Sequence, residues 1–278
     1  MKLKSIALMV IVSLITVGAV FAGGGSASST SSSATISVGG STSVTPLMEL
    51  FQARYEASNN VRITISGTGS GDGITGAAAG TYDIGMSSRE LRPAELAGLD
   101  VHVVAIDGIA VILNNSNPVS SLTTDQIKNI YTGAVTRWEQ LGAAANGKTG
   151  GIAVVSREPG SGTRGAFQEI LGFTDAELVT SAIQFDGTGA VRSSVAGNAD
   201  AIGYISIGSL DPSVKPLSVA GVAPTVANVR AGTYTVTRPF ILMTRSNVAL
   251  SPAAQTFLNW TMGQEAQTIV NTSWISVN

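Results

Sequence analysis

Cysteine is absent from the 278 residues, so disulfides and thiolate metal centres are closed to this chain. Histidine occurs once, as His102, which excludes a histidine metal cluster and makes a Ser-His-Asp triad a poor fit. That residue lies in the alternating run VHVVAI and reads as a strand residue. Charge is equally sparse, with 12% charged residues and a formal net charge of −2. Without a basic surplus the chain has no electrostatic footprint for nucleic acid, whose affinity comes mainly from many Lys and Arg contacts to phosphates. What the chain has in quantity is glycine, 32 residues, and hydrophobic residues, 44%, enough core for one large or two smaller domains.

The first residues read as an address. Lys2 and Lys4 precede a mostly apolar run of 16 residues, Ile6 to Phe21, and Val20-Phe21-Ala22 fits the small-residue pattern of a signal-peptidase cut. The run is short for a membrane span, which needs about 20 residues. Residues 1–22 are therefore expected to be a signal peptide or N-terminal anchor, and the chain to be exported, periplasmic or extracellular. Residues 23–33, GGGSASSTSSS, have the composition of a flexible linker, a membrane tether if the leader is kept and a frayed end if it is cut. Loss of Lys2 and Lys4 with the leader moves the net charge from −2 to −4, so any anion must be held by local donors and not by the overall field.

Beyond the linker one arrangement recurs: an apolar strand, a Gly/Ser/Thr loop, and the start of a helix. Thr35–Val38 runs into GGSTSVTPL, with Thr45-Pro46 as an expected N-cap and N1 pair. Val61–Ser66 runs into GTGSGDGITGAAAG, six glycines in fourteen residues. Ile152–Val155 runs into Ser156–Arg164, SREPGSGTR, and then a helical spacing. Such loops present backbone amides to an anion, and Arg157 and Arg164 add permanent positive charge to the last of them. A βα turn whose hydroxyls only cap a helix is the plainer reading, and two arginines in nine residues weigh against it. Tyr82–Ser88 reads as a further strand ending in a hydroxyl pair, followed by the helix-prone ELRPAEL, where Arg89 and Arg92 are read as solvating residues.

Val101–Leu113 is a long apolar stretch interrupted at Asp107-Gly108, and Thr233–Thr244 is another; both suit crossings between domains. Helices are expected from Thr123 or Thr124 to Gly133, over Thr174–Ala182, from Gly187 to Gly197, from Ser251-Pro252 through Trp260, and over Gln264–Val270. Residues 142–149 satisfy the P-loop expression, but they follow a helix and precede a strand, so Lys148 reads as a solvated loop lysine. Residues 71–76 and 160–165 match G-x-G-x-x-G without an acidic residue at the ribose-binding distance. What they share with dinucleotide sites is the physics of an anion at a helix start. Asn114, Asn259 and Asn271 fit the glycosylation acceptor pattern.

Taken together, GGSTSVTPL, GTGSGDG, DIGMSSREL, DGIAVILN, IYTGAVTRWEQLG, SREPGSGTR, AIGY and TRPF occur in the order seen in periplasmic-type phosphate-binding proteins of ABC transporters. The chain resembles that family over residues 34 to 278. The resemblance implies an α/β, two-lobed periplasmic-binding-protein type II fold, each lobe a mixed sheet flanked by helices, joined by two hinge strands. Lobe I would take residues 34–113 and 235–278, lobe II residues 114–234. The implied role is capture of inorganic phosphate between the lobes and delivery to ABC permease subunits, by a monomer, with no enzyme activity, no cofactor, no metal and no nucleic acid.

Carried over motif by motif, the implied phosphate-binding residues are Thr42, Ser43, Ser70 and Ser88 from one lobe and Arg157, Ser161, Gly162 and Thr163 from the other. The sequence departs from the family at Ser88, where the best-known members carry an aspartate that accepts the proton of hydrogen phosphate and so rejects sulfate. Asp107, and behind it Asp72, are the candidate proton acceptors in its place. The nearest rival is a binder of another tetrahedral oxoanion, such as sulfate, molybdate or tungstate. An exported phosphatase would need a metal cluster or activated nucleophile, which the composition disfavours.

Overall fold

The computed structural model describes residues 33–278, so the expected leader and nearly all of the linker lie outside the described residues. The chain opens with β1 (Ala34–Gly40), α1 (Thr45–Glu56), β2 (Val61–Gly67), α2 (Ser70–Ala79) and β3 (Ile84–Ser87). A single long strand, β4 (Leu99–Asn114), then leads into β5 (Ser121–Leu122), α3 (Thr124–Tyr131), β6 (Ala153–Arg157), α4 (Gly162–Leu171), β7 (Ile183–Phe185), α5 (Thr188–Ala196) and β8 (Ala201–Ser206). The last part holds β9 (Val214–Pro216), β10 (Ser218–Val219), α6 (Val226–Arg230), β11 (Thr237–Arg245), α7 (Pro252–Thr261) and α8 (Gln264–Val270).

Nine of these eleven strands form one mixed sheet in the order β2-β1-β3-β11-β4-β8-β6-β7, with β9 added beside β4, and β5 and β10 pair separately. The outer strands on each side are parallel, β1 with β2 and β3, β6 with β7 and β8. Their crossovers carry the helices that the repeated strand–loop–helix pattern announced. The centre is antiparallel and is made by β4 and β11. Leu99 to Gly108 of β4 pair with β11, whereas Ile109 to Leu113 of the same strand pair with β8. One strand therefore serves two halves.

The apolar core divides at the same place. One cluster gathers buried residues from Ile109 to Val236, a second gathers residues between Ile36 and Ala105 and between Phe240 and Trp274, and a small third, Ile74, Ala77, Leu91, Leu99, Ile241 and Met243, draws on the same two segments as the second. Membership changes between Ala105 and Ile109 on β4 and between Val236 and Phe240 on β11. These are two lobes joined by two crossing strands. Asp107-Gly108, expected to interrupt the first crossing, does not break the strand. Gly108 is needed there for packing, because a Cβ on it would lie 2.2 Å from Ile207 Cδ1.

Local departures from the sequence reading have physical causes. Thr45 does not cap α1; it is the first helical residue and its hydroxyl donates to the Ser41 carbonyl. The stretch after Thr174 makes only a short 3-10 turn, Asp175–Glu177, because Leu178 turns extended and buried and the Val179 amide donates to the Tyr131 carbonyl at 2.8 Å. ELRPAEL likewise gives a short turn, Pro93–Glu95, and Arg89 is not solvated but buried, with both guanidinium arms on Glu95 at 2.7 and 2.8 Å. Lys148 is ion-paired with Asp200 at 2.5 Å. The glycines of α2 reflect close packing: Cβ atoms at Gly73 and Gly76 would lie 2.4 Å from the Met86 carbonyl and the Tyr82 ring. Thr123 and Ser251 cap α3 and α7 as expected.

Candidate functional site

Four helix starts meet where the lobes face each other. From lobe I come the turn before α1, carrying Thr42 and Ser43, and the start of α2 at Ser70, entered through Gly69 at φ 108°. From lobe II come the start of α4, where Ser161 caps the Arg164 amide, and the start of α5 at Thr188, entered through Gly187 at φ 84°. The glycines supply backbone conformations that residues with a Cβ resist. Each helix start brings unpaired amides and the positive end of its dipole.

The side chains at these starts touch one another across the seam. Ser43 Oγ lies 2.8 Å from Thr163 Oγ1 and 3.2 Å from Thr188 Oγ1, and Thr42 Oγ1 lies 3.3 Å from Thr188 Oγ1. Ser70 Oγ accepts from the Ser88 amide at 3.1 Å and lies 3.4 Å from Ser88 Oγ. The Gly71 amide donates to the Gly160 carbonyl at 3.0 Å, so backbone also bridges the lobes. Gly162 fits only because it lacks a side chain: a Cβ there would sit 2.2 Å from Ser70 Oγ and 2.9 Å from Ser88 Oγ. Ser43, Ser70, Ser88, Ser161 and Thr163 are all 3% exposed or less.

Arg157 ends β6 in the middle of this cluster and is 2% exposed. Its Nε and Nη2 each donate to Glu158 at 2.7 Å, and the same guanidinium donates to Thr42 Oγ1 at 3.0 Å and Thr188 Oγ1 at 3.4 Å. The Arg157 amide donates to the Tyr204 hydroxyl at 3.3 Å, and that ring is stacked on Phe167 with centroids 4.0 Å apart. Burial raises the Tyr204 pKa, so the phenol stays neutral. Arg164 stands behind the loop: it donates to the Arg157 carbonyl at 3.0 Å and to Asp175 at 2.7 Å. Partial burial works against the Asp175 charge, but donation from Gln168 and Arg164 holds its carboxyl below the usual range.

The structure thus brings Thr42, Ser43, Ser70, Ser88, Arg157, Ser161, Gly162 and Thr163 into one cluster. It does not bring the two candidate proton acceptors there. Asp72 is exposed on α2 and accepts from Thr68 and, at 2.7 Å, from Tyr82. Asp107 is fully buried one layer behind Ser88, with one oxygen accepting from Arg238 at 3.0 and 3.1 Å and the other from Ser206 at 2.8 Å. Burial, outweighing Arg238 and Ser206, pushes its pKa up to about 6. Sequence reasoning missed Thr188, Glu158 and Arg238. Gly187-Thr188 carried the same glycine-then-hydroxyl signal as the other loops, and Glu158 stood next to Arg157.

Two clefts open along the seam on either side of the cluster, one of about 300 Å³ beside Thr42 and Glu158, the other of about 200 Å³ beside Arg89 and Arg164. Two α/β lobes on a pair of crossing strands, with a buried arginine and helix starts lining the seam, define a bilobed binding protein of the periplasmic type II architecture.

Comparison with known proteins narrows this. A model of the PBP superfamily domain matches residues 25–265. The chain is 31% identical over 213 residues to the phosphate-binding protein PstS of Bacillus subtilis, covering 73% of this chain and 68% of that protein. It is 45% identical over 112 residues to phosphate-binding protein PstS 2 of Streptococcus agalactiae, a match that spans 38% of the streptococcal protein's length. In structure it is similar to a Clostridium perfringens protein crystallised with bound phosphate, with TM-score 0.84, 42% identity and coverage of 88% of this chain and 100% of that one. An ABC-type phosphate transport receptor from Vibrio cholerae is similar at TM-score 0.71 and 33% identity, covering 86% and 99%. The chain belongs to the PBP superfamily and, within it, to the family of PstS phosphate-binding proteins.

Proposed function

We propose that this chain is an extracytoplasmic solute-binding protein that captures inorganic phosphate between its lobes and delivers it to an ABC permease. The observation that carries the reading is the convergence of four helix starts and Arg157 on one buried cluster of hydroxyls. Phosphate would replace the present contacts between hydroxyls, taking hydrogen bonds from Thr42, Ser43, Ser70, Ser88, Ser161 and Thr163, from amides including that of Gly162, and from Arg157. Capture involves no bond making or breaking.

Ser43 and Thr163 lie too close together for an anion to pass between them, so entry requires the lobes to part and closure then hides the ligand. Binding favours the closed form only by the contacts that form makes and the open form lacks. Lobe I would comprise residues 34–113 and 235–278 and lobe II residues 114–234 along the chain; Ile109–Leu113 of β4 and Val236 of β11 already pack in the lobe II core, so the exchange of core partners near Asp107 and Thr237 would be the hinge. The closed pair of lobes is the shape the permease would read, and an exported location follows from the leader-like residues 1–22.

A second reading, a binder of several tetrahedral oxoanions, draws on Ser88 standing where a carboxylate proton acceptor is expected, while Glu158, the carboxylate beside the cluster, is taken up by Arg157. A hydroxyl can donate to sulfate as readily as it accepts from hydrogen phosphate. Calorimetric titration of residues 33–278 with phosphate, sulfate and molybdate at pH 6 and 8 tests both. Saturable one-to-one phosphate binding is expected, and equal affinity for all three anions would replace the first reading by the second. No heat with any of them would end both.

A further inference from the structure

Arg238 and Asp107 are directly opposed in the register of β11 and β4, at the point where both strands pass from one core to the other. They are 3% and 0% exposed. Ion pairs this deep are poor stabilisers, because desolvating both charges offsets most of their attraction and apolar residues of similar volume often serve better. Stability alone therefore does not account for the pair.

Its hydrogen bonds do. The Ser88 carbonyl is fully buried just beyond the end of β3, and the donor that meets it is Arg238 Nη1 at 3.4 Å. The other face of Ser88, its amide and hydroxyl, is turned to Ser70. On the far side, Asp107 accepts from Ser206 at the end of β8, whose hydroxyl in turn accepts from the Gly208 amide at 3.2 Å. A continuous line of polar contacts therefore runs from lobe II through both crossing strands to the lobe I serines of the anion cluster. A buried carbonyl needs a donor, and a charged donor held through its Nε and Nη2 by a carboxylate has little freedom to move away from it.

We propose that the Asp107–Arg238 pair is a positioning device for the anion site, in which Arg238 fixes Ser88 through its carbonyl and Asp107 fixes Arg238. The proposal rests on reading the hydroxyl cluster as the anion site. Because the pair sits on the crossing strands, the Ser88 loop is set by the hinge and not only by its own lobe. Neither residue touches the ligand.

The test compares three proteins, the parent, Arg238→Met, and the double variant Asp107→Asn with Arg238→Met. The single variant leaves an unpaired buried carboxylate and is expected to lose thermal stability; the double variant removes both charges and is expected to regain it. Phosphate affinity, by calorimetry, is expected to fall at least about tenfold in both, the scale of one good hydrogen bond. Hydrogen exchange of the ligand-free protein, followed by mass spectrometry over peptides containing Ser88, is expected to accelerate in both. A double variant with parental exchange at Ser88, or with parental phosphate affinity, overturns the proposal. Should the parent not bind phosphate at all, the functional reading falls, while exchange at Ser88 still decides the positioning role.

Discussion

Gly162→Ala separates folding from closure more cleanly than any other single change here. Gly162 is the first residue of α4 and has no positive φ, so its backbone accepts alanine without strain. In an isolated lobe II the substitution is neutral or favourable, by up to about 0.5–1 kcal/mol, since glycine costs that much relative to alanine in a helix. Across the seam the outcome reverses. The new methyl would lie 2.2 Å from Ser70 Oγ, 2.8 Å from Ser70 Cβ and 2.9 Å from Ser88 Oγ. Ser70 is anchored by the Ser88 amide, so it cannot turn away without giving up that bond. Relief requires the lobes to stand roughly 1 Å further apart, since apolar contacts are comfortable only near 3.5 Å. An anion then keeps the donors of one lobe and loses or stretches those of the other. Two charge-assisted hydrogen bonds lost at about 1.5–3 kcal/mol each amount to an affinity loss of at least about 100-fold. The expected result is a melting temperature at or above the parent's, weak phosphate binding by calorimetry, and a radius of gyration by small-angle scattering that phosphate no longer reduces. A variant that binds phosphate within about threefold of the parent would refute the steric argument.

Arg157→Ala removes the buried guanidinium and strands Glu158, so phosphate affinity is expected to fall about 100-fold or more; a loss within about threefold, near 0.7 kcal/mol, would remove Arg157 from the site. Thr188→Val keeps shape but deletes the hydroxyl that meets Thr42, Ser43 and Arg157, with an expected loss of about five- to tenfold and little change in melting temperature; unchanged affinity would return Thr188 to being only a helix start. The acid range should carry a signature of Asp107. Its pKa is raised from 3.8 to about 6, so the folded chain holds a proton that the unfolded chain has released between those values. Its contribution to stability therefore increases as pH falls from 6 to 4 and is absent in Asp107→Asn, a difference of at most ~3 kcal/mol across the window. Glu95, held low chiefly by donation from Arg89, acts in the opposite sense below its usual range. Urea midpoints of parent and Asp107→Asn at pH 4, 5, 6 and 7 check this, and parallel curves would refute it.

The parts of this protein that were readable in its sequence are those encoded locally. A strand, a glycine loop and a helix start occupy contiguous residues, so GGSTSVTPL, GTGSG and SREPGSGTR announced three of the four helix starts without any knowledge of the fold. The fourth, at Thr188, used the same chemistry but stood among residues that read equally well as a capped helix. Contacts set by register were not readable. Arg238 and Asp107 are 131 positions apart, and only the antiparallel pairing of β4 with β11 puts them face to face. Glu158 failed for the opposite reason. Neighbours along a strand point to opposite faces, and only the turn at the end of β6 lets Glu158 reach back to Arg157. The helix expected over Thr174–Ala182 was lost to a tertiary demand after its first turn, because Leu178 turns extended and buried and the Val179 amide donates to the Tyr131 carbonyl.

The four buried arginines near the seam each come with a carboxylate already attached, Arg157 with Glu158, Arg238 with Asp107, Arg89 with Glu95 and Arg164 with Asp175. Their net charge is close to zero, and the chain as a whole is mildly acidic, so bulk Coulomb attraction does not draw an anion here. The attraction that remains is dipolar. A helix start behaves as about half a positive charge, so four of them together present roughly two, comparable with the charge of a phosphate dianion. These dipoles are fixed by the fold and cost nothing further to orient, whereas mobile lysines would have to be ordered on binding. Hydroxyls at the same helix starts supply direction, and the paired arginine supplies a planar donor without an excess charge that would hold any anion equally. The clamp is therefore expected to recognise the shape and hydrogen-bonding pattern of its ligand more than its charge, which is why a sequence so poor in basic residues can encode an anion receptor.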